Sequence, residues 1–268
     1  MLERAYAITL VAIYAVAALV FIILFFVSAP YGRYQRRGWG PEMHARLAWV
    51  VMELPAVIVI AACLLVASQS RVGVFSERFL GSFGRDALVA PLVFLGLWQV
   101  HYIYRTFVFP FLMRGGAKPF PVVLVLFAML FNTANGFVNG YVLFLSGRPY
   151  LRAWFADPRF VAGAALFVSG LCVHIAADRT LRRLRRRQSV GYAIPRGGLF
   201  ELVSAPNYFG EIVQWCGWAV MTWSLAGLSF AVFTIANLLP RGIRHHQWYR
   251  EHFADYPEER RAVVPYLL

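Results

Sequence analysis

The stretch "AYAITLVAIYAVAALVFIILFFVSA" (5–29) carries no charged side chain. At 1.5 Å per residue, a helix of that length outreaches the roughly 30 Å hydrocarbon core of a bilayer. Comparable apolar runs recur at about 45–67, 86–109, 120–145, 159–181, 199–222 and 226–240. In lipid every backbone N–H and C=O must be bonded within its own segment, so long continuous apolar runs fold as helices. The expected fold class is an all-α integral membrane protein with seven transmembrane helices, forming one bundle over 1–268. The turn "TWSLAGLS" leaves almost no loop between the last two runs, and 226–240 is short for a crossing. Six spans are therefore the alternative. The first run is too long for a signal-peptide core and has no basic leader, so it reads as a retained helix.

Composition agrees. The chain is 60% hydrophobic with a mean hydropathy of +0.59, against about 45–50% apolar residues in soluble domains. The net charge of +13 would suggest nucleic acid in a soluble protein. Here topology and anionic lipid explain it first, and a pocket for a phosphorylated cofactor second. No nucleic-acid partner is expected. The connections 29–46, 110–119 and 182–198 and the tail 240–268 hold 4, 2, 6 and 5 Lys/Arg; segments 1–4, 68–85, 146–158 and 223–225 hold 1, 3, 2 and 0. The bias places the N-terminus outside and the C-terminal tail in the cytoplasm. The three cysteines, Cys63, Cys172 and Cys216, lie in apolar runs and read as buried small hydrophobes. No disulfide or metal site is expected.

Polar residues inside these runs are costly, about 2.5–3.5 kcal/mol for a charge at a helix centre on insertion scales, and they usually face a cavity or a partner. Glu53 in "WVVMELPAVIVI" is the clearest case. His101, Tyr102 and Arg105 follow in "WQVHYIYRTFVFP", and Asn132, Asn135 and Asn139 in "NTANGFVNGY". Structural readings stand beside functional ones. Glu53 can pair with Arg105 or His101 to hold the bundle, Tyr102 can be an interfacial aromatic, His101 a structural hydrogen-bonding group, and the asparagines inter-helix contacts.

The last third shows polar stripes at helical spacing. Asp178, Arg182 and Arg185 fall at i, i+4, i+7; Asn207 and Glu211 at i, i+4; Arg241, His245 and Tyr249 at i, i+4, i+8. Arginines suit phosphates, and Asp, Glu and Asn suit ribose hydroxyls and amides. The run 182–187 also reads as plain headgroup contact. Neither G-x-G-x-x-G nor G-x-x-x-x-G-K-[ST] is present, so a nucleotide would bind between helices rather than on a Rossmann sheet.

With these residues in view, the chain resembles the steroid 5α-reductase (3-oxo-5α-steroid 4-dehydrogenase) family. "AWVVMELP" (48–55), "HYIYRTFVF" (101–109), "YAIPRGGLFELVSAPNYFGEIVQW" (192–215) and "HHQWYREHFADYPEERRAVVPYLL" (245–268) carry the likeness, from about Pro30 to the end. It implies a bacterial homologue in the inner membrane, with seven helices and a steroid cavity among helices of about 1–110. It also implies NADPH held by about 111–268 on the cytoplasmic side, and a monomer taking a steroid or sterol-like lipid from the bilayer. It implies hydride transfer to C5 and proton addition at C4 of a Δ4-3-keto steroid, with Glu53 and Tyr102 holding the C3 carbonyl. Cofactor contacts fall, by the same resemblance, on Arg114, Asp178, Arg185, Tyr192, Asn207, Glu211, Arg241, His245 and Tyr249. Met52, His174 and Ala193 depart from the family pattern, and Lys118 stands in for a second arginine after "RG". Hydride attack drives negative charge onto the C3 oxygen, which preorganised donors stabilise; Glu53 donates only if it is protonated. The competing readings are a reductase of another unsaturated lipid (a polyprenol or enoyl thioester), a membrane methyltransferase, and a transporter with Glu53 as a proton relay.

Overall fold

The computed structural model describes residues 1–36, 38–187 and 191–268. Arg37 and 188–190, parts of two expected cytoplasmic connections, lie outside the described residues. The helices are α1 (Leu2–Phe26), α2 (Ala45–Gln69), α3 (Glu77–Phe83), α4 (Val89–Ile103), α5 (Phe109–Leu112), α6 (Val122–Gly140), α7 (Pro158–Arg187), α8 (Pro206–Thr222) and α9 (Leu225–His252). Among the described residues, six helical stretches are long and apolar enough to cross a membrane. The run expected at 199–222 is α8, which has 17 residues and starts later because Pro206 opens it after an irregular segment. The run expected at 226–240 continues to His252 through the buried Pro240. The chain is thus an all-α, multi-pass membrane protein. A small sheet pairs β1 (Glu42–His44) antiparallel with β2 (Pro119–Pro121), Met43 opposite Phe120, and ties the entries of α2 and α6 together.

The helices bury narrow stripes and leave the rest to lipid. On α1 only Leu10, Ile13 and Ala17 are buried, at i, i+3, i+7, while Ile8, Val11, Leu19 and Ile22 are exposed. Ile13 meets Val138, Val142 and Ala226 of the next layer. Cys63 is buried as expected, but Cys172 is exposed and Cys216 only half-buried; Cys172 sits on the outer side of α7, where a small apolar thiol suits lipid as well as a core.

The tightest seam joins α7 to α8. Without a strong hydrophobic drive between helices in lipid, close packing needs small residues. Gly163 and Gly170 on α7 face Gly217 and Gly210 on α8 across an antiparallel seam. A methyl added at Gly163 would stand 2.7 Å from the Gly217 carbonyl oxygen, and one at Gly210 would stand 2.7 Å from that of Gly170. Both lie on backbone that cannot move aside. Gly210→Leu is expected to destabilise the protein by at least about 1–3 kcal/mol, the usual cost of overpacking, read as a lowered melting temperature in detergent. An unchanged melting temperature would show that the seam is loose.

The interior is aromatic. Phe94, Trp98 and Tyr102 occupy i, i+4, i+8 on α4 and pack with Trp215 and Trp218 of α8 and Phe230 of α9. Two of these indole N–H groups find acceptors: Trp98 donates to the Ala56 carbonyl at 2.9 Å, and Trp218 to Asn139 Oδ1 at 2.8 Å. The tail folds back on the bundle. Arg260, 1% exposed, donates to the Pro195 carbonyl at 2.9 Å and to Glu201 Oε2 at 3.1 Å. The Gly197 N–H, and then Arg260, hold the Glu201 carboxyl below the usual carboxylate range.

Candidate active site

Glu53 enters the site from α2, two residues before Pro55. Proline lacks an N–H and loosens the carbonyls of the preceding turn. Asn132 of α6 donates to the Met52 carbonyl at 2.6 Å and to Glu53 Oε2 at 3.3 Å. The other carboxyl oxygen, Oε1, accepts from Arg105 Nη2 at 3.3 Å. Both side chains are buried, 11% and 12% exposed. The Arg105 guanidinium also lies over Trp49, 4.5 Å from the ring centre, and near Phe109 at 5.1 Å.

Arg105 reaches this position from a π-helical turn, Tyr104–Val108, directly after α4, closed by the Phe109 N–H on the Tyr104 carbonyl. Pro110 follows in α5. The wider turn accommodates the proline and rotates Arg105 toward α2. Such insertions often accompany functional sites.

Tyr102, two residues before the π segment, is 3% exposed and belongs to the aromatic core rather than to an interfacial belt. Asn135 lies beside its hydroxyl, and Asn139 donates to Asn135 Oδ1 at 3.0 Å. The asparagines of α6 thus divide their work: Asn132 serves Glu53, and Asn139 links Trp218 to Asn135. His101 packs against Trp215, ring centres 4.7 Å apart, and lies beside Gln214.

A cavity of about 610 Å³ opens beside this cluster. Trp49, which carries Arg105 on its ring, is part of its wall. Arg114, Lys118, Arg185, Tyr192, Asn207, Arg241, His245 and Tyr249 also line it; of the expected cofactor residues only Asp178 and Glu211 stand outside the lining. Those two sit one layer behind it. Asn207 Nδ2 is 3.5 Å from Asp178 Oδ1, and His174 lies 3.7 Å from both Asp178 and Glu211. Asp178 Oδ2 and His174 Nε2 are buried without a hydrogen-bond partner among the described residues. Of the α7 stripe, Arg182 turns away and donates to the Tyr104 hydroxyl at 3.2 Å, whereas Arg185 reaches the cavity.

The turn after α1 was not visible as part of this site from sequence. Tyr31 bonds Arg241, and the Tyr34 hydroxyl meets His245 Nδ1 at 3.0 Å. Tyr208 closes the other side of His245 at 3.1 Å. Burial pushes the Tyr34 hydroxyl up to about 12, so it stays protonated across the physiological range.

The lining suits a dinucleotide. It is cationic and aromatic, has no carboxylate among the described residues, and leaves buried polar atoms open behind it. A family model described as 3-oxo-5-alpha-steroid 4-dehydrogenase matches residues 118–268. The chain is 42% identical over 254 residues to bovine 3-oxo-5-alpha-steroid 4-dehydrogenase 1, covering 95% of this chain and 93% of the relative. It is 39% identical over 253 residues to steroid 5-alpha-reductase DET2 of Arabidopsis thaliana, covering 92% and 90%. It is 39% identical over 226 residues to human 3-oxo-5-alpha-steroid 4-dehydrogenase 2, covering 84% and 82%. Kinship reaching both vertebrate and plant enzymes, across the helices that carry Glu53, Tyr102 and the cavity wall alike, makes this chain a member of the 3-oxo-5-alpha-steroid 4-dehydrogenase family.

Proposed function

We propose that the protein reduces the Δ4 double bond of a 3-oxo-Δ4 steroid to the 5α-dihydro product, using NADPH. The observation that carries this reading is the junction of two unlike sites: a buried Glu53–Arg105–Tyr102 cluster beside a cationic, aromatic cavity that shares Trp49 with it. NADPH, when bound, supplies the hydride that the enone accepts at C5. The chain's own residues orient the enone and stabilise the charge that develops on its C3 oxygen. The Tyr102 hydroxyl donates to that oxygen. Glu53 acts as a second donor when it carries a proton on Oε2, with Oε1 held by Arg105. Asn132 fixes the carboxyl plane. This is electrostatic preorganisation in a site from which water is excluded. Ketosteroid isomerase stabilises its oxyanion in the same way, with a tyrosine and a protonated carboxyl.

The cofactor is held by Arg114, Lys118, Arg185, Tyr192, Asn207, Arg241, His245 and Tyr249, with Asp178 and Glu211 behind them. In the proposed topology α8 completes seven crossings, the N-terminus is outside, and the cavity opens to the cytoplasm. The steroid then enters from the bilayer, between the helices of 1–110, and the charged cofactor from water. The protein acts as a monomer in the bacterial inner membrane.

The test is loss of NADPH absorbance by the purified protein with androstenedione or progesterone, the product identified by mass spectrometry. Oxidation matched by a 5α-dihydro steroid supports the reading. Binding of NADPH with no turnover of any Δ4-3-oxo steroid would direct the assignment to another unsaturated lipid.

A further inference from the structure

A second groove, of about 570 Å³, shares no lining residue with the cavity beside Glu53. The two use different faces of the same helix: Ala45 and Trp49 of α2 line the cavity, whereas Arg46, Leu47 and Val50 line the groove. The groove runs between the first turns of α2 and the end of α5. One membrane-crossing stretch begins there at Ala45 and another ends at Leu112, so the groove lies at the membrane boundary. Its wall is apolar. Leu47 and Phe111 are 52% and 62% exposed, and Val50 follows Leu47 at i+3. Its lip is basic, with His44 and Arg46.

Arg46 is exposed, yet its guanidinium is held in place. Nε donates at 3.3 Å to the Pro110 carbonyl, one of the carbonyls left over where α5 ends at Leu112. The guanidinium carbon lies 5.7 Å from the Phe111 ring centre. The loop after α5 presses against the same group: a methyl added at Gly116 would stand 3.1 Å from Nε and 3.2 Å from Nη2. No carboxylate among the described residues pairs with Arg46, and its guanidinium bonds no group among them besides Pro110.

A long basic side chain at a membrane surface ordinarily snorkels, its head free to move. Arg46 instead presents unused N–H edges from a fixed position, and such a fork fits a phosphate. The start of the 25-residue helix α2 adds a potential favourable to an anion. A soluble anion would use the lip and leave Leu47, Val50 and Phe111 bare. An amphiphile with an anionic head uses both. We propose that this groove binds one anionic phospholipid, its phosphate on Arg46 and an acyl chain along Leu47, Val50 and Phe111.

The experiment titrates phosphatidylglycerol, or phosphatidylcholine with the same acyl chains, into the detergent-purified full-length protein, read by native mass spectrometry. Wild type should retain one phosphatidylglycerol and hold it more tightly than phosphatidylcholine. Arg46→Gln should weaken phosphatidylglycerol about ten- to a hundredfold, the fold-change of a lost charged hydrogen bond. Arg46→Lys should fall between, since it keeps the charge and loses the fork; it carries the test if the glutamine variant does not fold. Phe111→Ser should weaken both lipids. Arg179→Gln removes an exposed cation of α7 outside the groove and should bind as wild type does. Unchanged retention in Arg46→Gln would overturn the proposal, as would equal retention of the two lipids by wild type. The same loss in Arg179→Gln would reduce the binding to overall charge and overturn it too. A dimer that dissociates in Phe111→Ser would give the groove to a second copy of the chain instead.

Discussion

Glu53→Ala is expected to lower kcat by about 10²–10³-fold, the usual cost of removing one donor from an oxyanion site. The variant does two things at once. It deletes the proposed second donor to the C3 oxygen, and it leaves Arg105 buried without its carboxyl partner. Removing one member of a buried pair is destabilising, by about 3–5 kcal/mol where both groups are deeply buried. Activity and melting temperature should therefore fall together. Glu53→Gln separates the two effects. Its amide oxygen still accepts from Arg105, and its NH₂ still donates. That variant should retain partial turnover. Equal and full loss of turnover in both variants, with melting temperature preserved in the glutamine form, would instead assign Glu53 to proton transfer.

Tyr102→Phe should lower kcat by a similar factor, about 10²-fold or more, and leave NADP⁺ affinity close to wild type. The ring stays in its aromatic setting against Trp98, Trp215 and Phe230, so the fold keeps its packing. Only the hydroxyl beside Asn135 is lost. The check is a comparison of kcat with the dissociation constant for NADP⁺ in the same preparation. A large loss of cofactor affinity with little change in kcat would contradict the assignment of Tyr102 to the carbonyl.

The sequence made the bundle readable because lipid imposes one rule on every span. The same rule exposed Glu53, since a carboxyl in an apolar run needs a reason. Helical spacing also brought out Arg241, His245 and Tyr249, and all three line the cavity. Other features had weaker signals. Arg33 and Tyr34 sit in a connection whose charge is already accounted for by topology, so nothing in their spacing marked them as cavity wall. The Asn132 bond to Glu53 depends on α2 and α6 lying side by side, which no periodicity reports. The π turn at Tyr104–Val108 keeps the same residues that a regular helix would have and changes only where they point. The end of α8 and the start of α9 were hard to divide because Trp223 adopts a left-handed conformation in a turn with no glycine. The α7–α8 glycines are seven apart on each helix, a pattern legible only once the two helices are known to be partners.

The most direct test of the central claim follows the hydride itself. NADPH deuterated at the transferable C4 position should be incubated with the protein and a Δ4-3-oxo steroid, and the product analysed by mass spectrometry and NMR. The expected product is a 5α-dihydro steroid with one deuterium at C5 and a solvent-derived hydrogen at C4. A reduced product with the label at C4, or with no label, would contradict the proposed hydride transfer.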